Sequence, residues 1–461
     1  MTDTFQGVIT CPNGHVQPTG GTSCGVCGVE IKVDDADKPH SRQTIRLQHL
    51  FVAVGEAGSK ILMGYYRTFK NEKSEDNFLF LDTSASDIDA LLNMSKTLDN
   101  SDEDLHNSFR KIGKSIKGAA KNWKRAENIV SEDRFLTDHL TFAGAEQSES
   151  MVLVTSLGGG TGGGVGPLVF DALTARGVRG DKVAFVTLPS RGESEQLHFN
   201  AYCSFSRLIR FRHRRNADLI IAIDNTNLYS HKYVDNYGQE LTPNAALATI
   251  LEMLSNKSRI QGENRIDLSD LVEASRSTGI IHCIPCLALN HSLRIYENIE
   301  GILESATMKP MADLDLSSVL FSFLILRVPN AMKTRISSEE ILKEHYIWRE
   351  RNLSSEILGH TEIRYKEETS DRIDALLILG GSDLNRLLDR TKVGYRIVRQ
   401  SILAGTRPEE TYLDAAHWVS PGELNQLEDN LVDYSTQIDS IRAGVERGTV
   451  KTREKEKLKY D

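Results

Sequence analysis

The chain has 461 residues, 39% of them hydrophobic and 26% charged, with a formal net charge of −9. That length holds two or three domains around a large core, and an acidic balance spread along the chain argues against nucleic acid as the main partner. Six cysteines in so long a chain do not make a disulfide scaffold, so a reducing, cytoplasmic location is expected. Met1-Thr2-Asp3-Thr4-Phe5 has no basic stretch leading into an apolar one, and no secretory signal is expected. The longest apolar run, Val319 to Val328, is too short to cross a bilayer.

In chain order, Cys11-Pro12-Asn13-Gly14-His15 comes first, then Cys24-Gly25-Val26-Cys27-Gly28. Two thiolates two residues apart, each followed by glycine, form a zinc knuckle whose sulfurs accept backbone N–H groups. Cys11 supplies a third ligand and His15 the fourth, although Cys-x3-His is the less common spacing. So short a segment has little apolar surface, whereas structural zinc contributes about 10–16 kcal/mol in small fingers. A closed structural zinc ribbon is expected, with a polar linker from Val33 to Gln43.

Arg46 to Val54 predicts a buried strand, ending in Gly55-Glu56-Ala57-Gly58-Ser59-Lys60-Ile61, where a helix begins. A second strand over Asn77 to Leu81 leads into Asp82-Thr83-Ser84-Ala85-Ser86-Asp87. Lys114 and Lys117 follow in a glycine-spaced loop before a small-residue helix. The run Val152-Leu153-Val154-Thr155-Ser156-Leu157 then flows into Gly158-Gly159-Gly160-Thr161-Gly162-Gly163-Gly164 and a helix from Pro167. Strand, glycine loop and helix in this order make an anion site, because glycine lets successive N–H groups approach a ligand beside the positive end of the helix dipole. Thr161 adds a hydroxyl. No Gly-Lys-Ser/Thr closes the loop, so it is not a P-loop, and its spacing is not that of a dinucleotide fingerprint.

Lys182 to Leu188 predicts a strand, followed by Pro189-Ser190-Arg191-Gly192-Glu193. Another, Ala217 to Ile223, closes on Asp224-Asn225-Thr226-Asn227-Leu228-Tyr229. An amide at that strand end can donate to and accept from a purine edge, or it can cap the next turn. From Thr242 to Asn256 one apolar face, Leu247, Ile250, Leu251 and Leu254, predicts a long helix. Asp267 and Asp270, three apart at a helix start, lie on one face; they can serve as paired carboxylates or as ordinary caps. Gly279 to Leu289, Ser317 to Val328 and Asp374 to Leu379 read as strands separated by helices, and Cys283 and Cys286 inside the first of these belong to the core. Near the end, Ser420-Pro421-Gly422-Glu423 is a capping box with proline at the first helical position. Leu424, Leu427, Leu431, Tyr434, Ile438, Ile441 and Val445 then form a seam, against the body or against a partner. Lys451 to Lys459 is a charged tail, either solvated or in weak electrostatic contact with acidic lipid or another filament.

Ser-Leu-Gly-Gly-Gly-Thr-Gly-Gly-Gly closely resembles the phosphate-binding signature of the tubulin/FtsZ superfamily of GTPases, and Gly55-Glu56-Ala57-Gly58 is similar to the first nucleotide loop of tubulin. The resemblance extends from Leu47 through the second domain. It implies an α/β fold: a Rossmann-like GTPase domain with a parallel sheet, a central helix and a second α+β domain, with the zinc ribbon and a C-terminal helix added. The corresponding segments are 1–40 for ribbon and linker, 41–235 for the nucleotide domain, 236–260 for the central helix, 261–405 for the second domain and 406–461 for the C-terminal helix and tail. It implies GTP or GDP as ligand, with Mg²⁺ against the phosphates and Zn²⁺ confined to Cys11, His15, Cys24 and Cys27. Gly55, Glu56, Gly58, Ser59, Gly158, Gly159, Gly160, Thr161, Gly162 and Gly163 are implied around the phosphates, where Glu56 either helps to hold the metal or points away. Glu193 is implied at the ribose, Asn200 in a segment similar to the tubulin Tyr-Asn-Ala, and Asn225 and Asn244 at the base. Leu197 stands where FtsZ has an arginine. Gly262 to Asp270 resembles the FtsZ loop whose aspartates, here Asp267 and Asp270, act on the nucleotide of the neighbouring subunit. The implied activity is GTP hydrolysis coupled to head-to-tail polymerisation, the partner being the chain itself. The alternative is a non-polymerising nucleotide-binding adaptor that works through its zinc ribbon and C-terminal helix.

Overall fold

The computed structural model describes residues 8–10, 16–18, 47–69, 76–98, 103–114, 118–131, 135–235, 237–255, 262–263, 266–292, 298–333, 336–366, 371–405 and 419–450. Two units divide the chain, Met1–Arg46 and Leu47–Asp461. In the first, β1 (Val8–Thr10) pairs antiparallel with β2 (Val16–Pro18), Thr10 opposite Val16. Cys11 and His15 belong to the connection between these strands. They lie outside the described residues, as do Cys24, Cys27, Lys117 and the tail from Lys451.

The second unit is built on unbroken apolar runs, the signature of parallel strands covered on both faces. Its first half holds β3 (Leu47–Val54), β4 (Asn77–Asp82), β5 (Phe109–Lys111), β6 (Ser148–Ser156) and β7 (Asp181–Leu188). A small hairpin of β8 (Arg210–Phe211) and β9 (Arg214–Arg215) precedes β10 (Leu219–Asp224). Between the strands run α1 (Gly55–Phe69), α2 (Ala85–Leu98), the single turn α3 (Glu103–His106), α4 (Trp123–Ser131), α5 (Phe135–Phe142), α6 (Gly160–Ala175), α7 (Glu195–Ile209) and α8 (Asn225–Ser230). The spatial order is β5-β4-β3-β6-β7-β10, every pair parallel. This is the doubly wound order, and the direction of winding reverses between β3 and β6. Ligands of open α/β sheets bind at that switch point, outside the carboxyl ends of the strands.

Then come α9 (Pro243–Ser255), β11 (Gly262–Glu263), α10 (Leu268–Thr278), β12 (His282–Ser292), α11 (Ile299–Thr307), β13 (Phe321–Pro329), α12 (Ser338–Asn352), β14 (Leu358–Lys366), β15 (Arg372–Gly380), α13 (Leu384–Leu403) and α14 (Pro421–Glu446). The sheet continues from β10 to β12 through two register partners, Ile220 with His282 and Ile221 with Cys283. Beyond β12 lie β15, β13, β14 and β11, with antiparallel pairs except β13–β14, so the described strands of this unit other than β8 and β9 form one eleven-stranded sheet. The three strands expected here from the sequence correspond to β12, β13 and β15. β14 is an addition, because Leu-Gly-His-Thr-Glu-Ile-Arg-Tyr-Lys offers few apolar residues to signal a strand.

The expected central helix is α9, within a residue at each end, and Leu247, Ile250, Leu251 and Leu254 are all buried. Its last residue is tied to the first half of the sheet: Ser255 Oγ meets Tyr65 OH at 2.9 Å and the Ser255 carbonyl meets His49 Nε2 at 3.2 Å. Glu252 on the same helix pairs with Arg327 of β13. Cys283 and Cys286 are both buried, in different hydrophobic clusters, as core residues three apart on a strand must be.

The seam of α14 packs back on the body. Leu424, Leu427, Leu431, Tyr434 and Ile438 are buried, with Ile441 and Val445 packed against the same core. Ser420 accepts from Glu423 N as an N-cap should, but Glu423 does not complete the expected capping box. Its carboxylate instead meets Lys124 Nζ of α4 at 2.6 Å. Tyr434 OH accepts from Ile281 N at 2.8 Å and meets His282 Nδ1 at 2.9 Å, while His282 Nε2 lies 2.9 Å from the Ser382 carbonyl. This helix therefore closes over the point where the two halves of the sheet join. No helix among the described residues is long and apolar enough to cross a membrane.

Candidate functional site

The two glycine segments leave the sheet side by side at the switch point, because β3 and β6 are neighbours with Val54 opposite Thr155. Gly55 opens α1 at φ +80°, a conformation a side chain disfavours, and a Cβ there would lie 3.2 Å from Gly162 N. Gly160 opens α6, and a Cβ on it would lie 2.7 Å from Asn122 N and 2.9 Å from Ala119 Cβ. Gly159, in extended conformation, is the N-cap of α6 and offers no side-chain hydrogen bond. A sixteen-residue helix thus presents backbone N–H groups without a side-chain acceptor at its positive end. An anion of phosphate type fits those donors.

Polar side chains converge on the same point. Thr161 Oγ1 lies 2.7 Å from Thr83 Oγ1 and donates to Asp82 Oδ1 at 3.4 Å. Asp82, 1% exposed, also accepts from Ser84 N at 2.9 Å. Burial outweighs these bonds and pushes its carboxyl up to about 6. A buried oxygen acid beside two hydroxyls suits a hard divalent cation such as Mg²⁺, whose charge would ionise it fully.

A third loop closes the crevice. Gly118, Ala120 and Lys121 all have positive φ, two of them without the freedom of glycine. Asn122 is 3% exposed; its Oδ1 accepts from Arg125 N at 3.1 Å to cap α4, and its Nδ2 has no partner among the described residues. A buried amide donor beside the start of α6 is a further place for an acceptor to bind. Asn200 Nδ2 donates to Lys121 O and to Gly158 O, each at 2.8 Å, and its Oδ1 accepts from Gln196 at 2.9 Å. Fully buried, Asn200 braces the glycine loop against the third loop.

At the end of β10, Asp224 Oδ1 accepts from Thr226 N at 2.6 Å and caps α8. Asn225 heads that helix half-buried. β7 separates β10 from β6, so Asn225 stands two strand spacings from the glycine loop, about 10 Å. That is the reach from the phosphates of a nucleotide to its base. Thr226 Oγ1 accepts from Arg191 N and from Arg390 Nη1, each at 2.8 Å, joining the β7 and β10 ends to α13.

Residues 48–232 match the model of the tubulin/FtsZ family, GTPase domain. The match runs from β3 through α8 and covers all three loops of the crevice. The chain is similar in fold to a solved structure, CetZ2 from Haloferax volcanii, described as a GTPgS-bound protofilament, at TM-score 0.61 and 17% identity, covering 77% of this chain and 99% of that one. At that identity the likeness is one of fold, and it covers more of the chain than residues 48–232.

The remaining residues expected at a tubulin/FtsZ-type site fall as follows. Glu56 is exposed and pairs with Lys60 one turn on, at 2.5 Å. Ser59 is buried, its Oγ without a partner among the described residues. Gly58 packs so closely on Val154 O that no side chain fits. Glu193 accepts from Ser190 N at 2.5 Å and closes its own turn. Asn244 lies in the first turn of α9, where its backbone faces Gly64 of α1. Asp267 and Asp270 are the N-cap and third residue of α10 in a full capping box, Asp267 accepting from Ser269 N and Asp270 N, and Asp270 from Asp267 N. They do not join the crevice of their own chain. Arg364 joins the Ile266 carbonyl to that of Met253 near the end of α9, where the Ser255 carbonyl meets His49 close to the start of β3, which puts the start of α10 at the amino ends of the strands. An eight-residue strand separates the two faces by roughly 25 Å. Asn122 was not among the expected residues, and its signal, an asparagine directly before a buried tryptophan, is slight.

Proposed function

We propose that this protein binds GTP in the crevice between β3 and β6, assembles head to tail and hydrolyses GTP where one subunit meets the next. The observation that carries the reading is the opposition of the two faces: glycine loops at the carboxyl ends of the strands, paired aspartates at the amino ends. Neither face holds a complete set of groups for hydrolysis. Translating one subunit along the strand direction brings the aspartate face of one against the nucleotide face of its neighbour, and such heterologous contacts propagate as a filament.

On this reading the N–H groups from Gly158 to Gly163 and the start of α6 hold the phosphates, with Gly55, Gly58 and Ser59 on the α1 side. Asn225 recognises the guanine edge, and Asn244 lies on the helix that flanks the nucleoside. Asp82, Thr83 and Thr161 offer oxygens to Mg²⁺, which when bound neutralises phosphate charge. Glu56 lies outside that cluster and holds Lys60 instead. Asp267 and Asp270 approach from the neighbouring subunit, orient the attacking water and accept its proton. The adaptor alternative loses one of its two surfaces, since the seam of α14 is buried against the body. The zinc ribbon at Cys11, His15, Cys24 and Cys27 remains part of the proposal, and one equivalent of zinc, lost in a Cys24→Ser, Cys27→Ser variant, is its expected signature.

Sedimentation with GTP tests assembly. The expected result is a pellet that appears above a threshold protein concentration with GTP and shrinks with GDP. Binding of GTP without any concentration-dependent pellet would return the reading to the adaptor.

A further inference from the structure

Glu362 and Arg364, neighbours on the same face of β14, form an ion pair sealed from solvent, each 3% exposed. Arg364 Nε donates to Glu362 Oε1 and Nη2 to Oε2, both at 2.8 Å. Burying such a pair costs desolvation that apolar side chains of the same volume would avoid, so core stability alone is a poor account of it. What the pair supplies that apolar groups cannot is a grip on backbone. Arg364 Nη1 donates to the Met253 carbonyl at 2.6 Å, in the last turn of α9. Arg364 Nη2 donates to the Ile266 carbonyl at 3.0 Å, and Glu362 Oε2 accepts from Ile266 N at 2.8 Å.

Ile266 is therefore held on both its N–H and its C=O, and the next residue is Asp267. From there the capping box passes the constraint to Asp270. The chain of contacts runs from β14 to Ile266 to Asp267 to Asp270 without a free link.

We infer that Glu362 and Arg364 are positioning residues: they fix the aspartate loop at the height at which Asp267 and Asp270 meet the nucleotide of the next subunit. The inference rests on the hydrolytic reading given above. A lysine at 364 is a point charge that cannot reach Glu362, Met253 O and Ile266 O together, whereas a glutamine at 362 still accepts from Ile266 N. Displacing a catalytic group by a fraction of an ångström to one ångström costs up to about a hundredfold in rate.

The test measures GTP hydrolysis per sedimented subunit for wild type, Arg364→Lys and Glu362→Gln, with GTP affinity measured alongside. Arg364→Lys is expected to lose roughly tenfold or more in rate, with GTP affinity within about twofold, and Glu362→Gln to lose less. Arg364→Lys is then mixed with Asn225→Ala, at a GTP concentration that fills the first and not the second. If the defect lies in the donated loop, the intact loop of Asn225→Ala restores hydrolysis on GTP held by Arg364→Lys, at up to about one interface in four of a random one-to-one filament. Wild-type rates in both variants, or a mixture no faster than its parts although Asn225→Ala is found in the pellet, would overturn the positioning role. A wild type whose rate per subunit ignores concentration would instead overturn the underlying reading, and that is seen before any variant is made.

Discussion

The two faces of this sheet handle charge by opposite means. At the carboxyl ends, the crevice is lined by backbone: glycines bring N–H groups to the surface, and the few side chains present, Asp82, Thr83, Thr161 and Asn122, cluster around them. At the amino ends, side chains do the work, with two aspartates capping a helix and a buried ion pair fixing the residue before them. The first arrangement leaves donors unsatisfied and suits a ligand that arrives and departs. The second satisfies its backbone groups within the chain and suits a rigid tool presented to something else.

The largest break in this contrast should come from adding a side chain to the crevice. Gly160→Ala places a methyl 2.7 Å from Asn122 N, and the third loop must move. GTP affinity is expected to fall by about a hundredfold or more, roughly 3 kcal/mol, in equilibrium dialysis, with the sheet intact by circular dichroism. Affinity within threefold of wild type would show that the third loop plays no part in phosphate binding.

Titration sharpens the contrast, since the crevice and the α14 closure respond to pH in opposite senses. Asp82 has a folded value near 6, above its ordinary 3.8, so the folded protein binds the extra proton and this group's contribution to stability falls as pH rises from about 4 to 6. His282, pushed by burial to about 4 from 6.5, favours the folded state at neutral pH, and that contribution is lost as pH falls from about 6.5 to 4. The two slopes oppose each other in wild type. Asp82→Asn removes one, so without nucleotide it should gain about 2–3 kcal/mol at pH 7 and lose stability more steeply on acidification. Urea titrations at pH 4.5, 5.5 and 7 measure this, and a variant with an unchanged pH profile would contradict the burial of Asp82.

Much of this was legible in advance at the first face and little at the second, for a physical reason. Backbone recognition demands glycine and apolar parallel strands, and both are conspicuous in Val152 to Gly164 and in Arg46 to Gly58. Asn225 was marked by the strand that ends before it. Side-chain recognition uses residues that look like surface. Glu362 and Arg364 are charged and interrupt any apolar pattern in β14, although both are buried. Asp267 and Asp270 have the same letters whether they only cap a helix or also act on water, and capping is the role visible within one chain. Asn122 was obscured because Ala120 and Lys121 adopt left-handed backbone without a glycine to announce it.

Two smaller effects complete the comparison. Asn225→Ala should cost about ten- to a hundredfold in GTP affinity and narrow the preference for GTP over ATP, since a lost base contact is worth about 1.5–3 kcal/mol. Competition binding reads this directly, and an unchanged preference would remove Asn225 from the base. Tyr434→Phe leaves Ile281 N and His282 Nδ1 without their shared partner, and should destabilise the fold by about 1–2 kcal/mol in urea with GTP affinity unaltered. A loss of nucleotide binding there would mean that the closure by α14 and the crevice are coupled.

The central claim is that the two faces complete one another across subunits. It is tested most directly by GTP hydrolysis per subunit against protein concentration, for wild type and Asp270→Ala. The account predicts a wild-type rate that climbs steeply above the threshold for sedimentation, and a variant that binds GTP and sediments yet hydrolyses at least about tenfold more slowly at every concentration. A rate per subunit that is flat with concentration, or indifferent to Asp270, would contradict it.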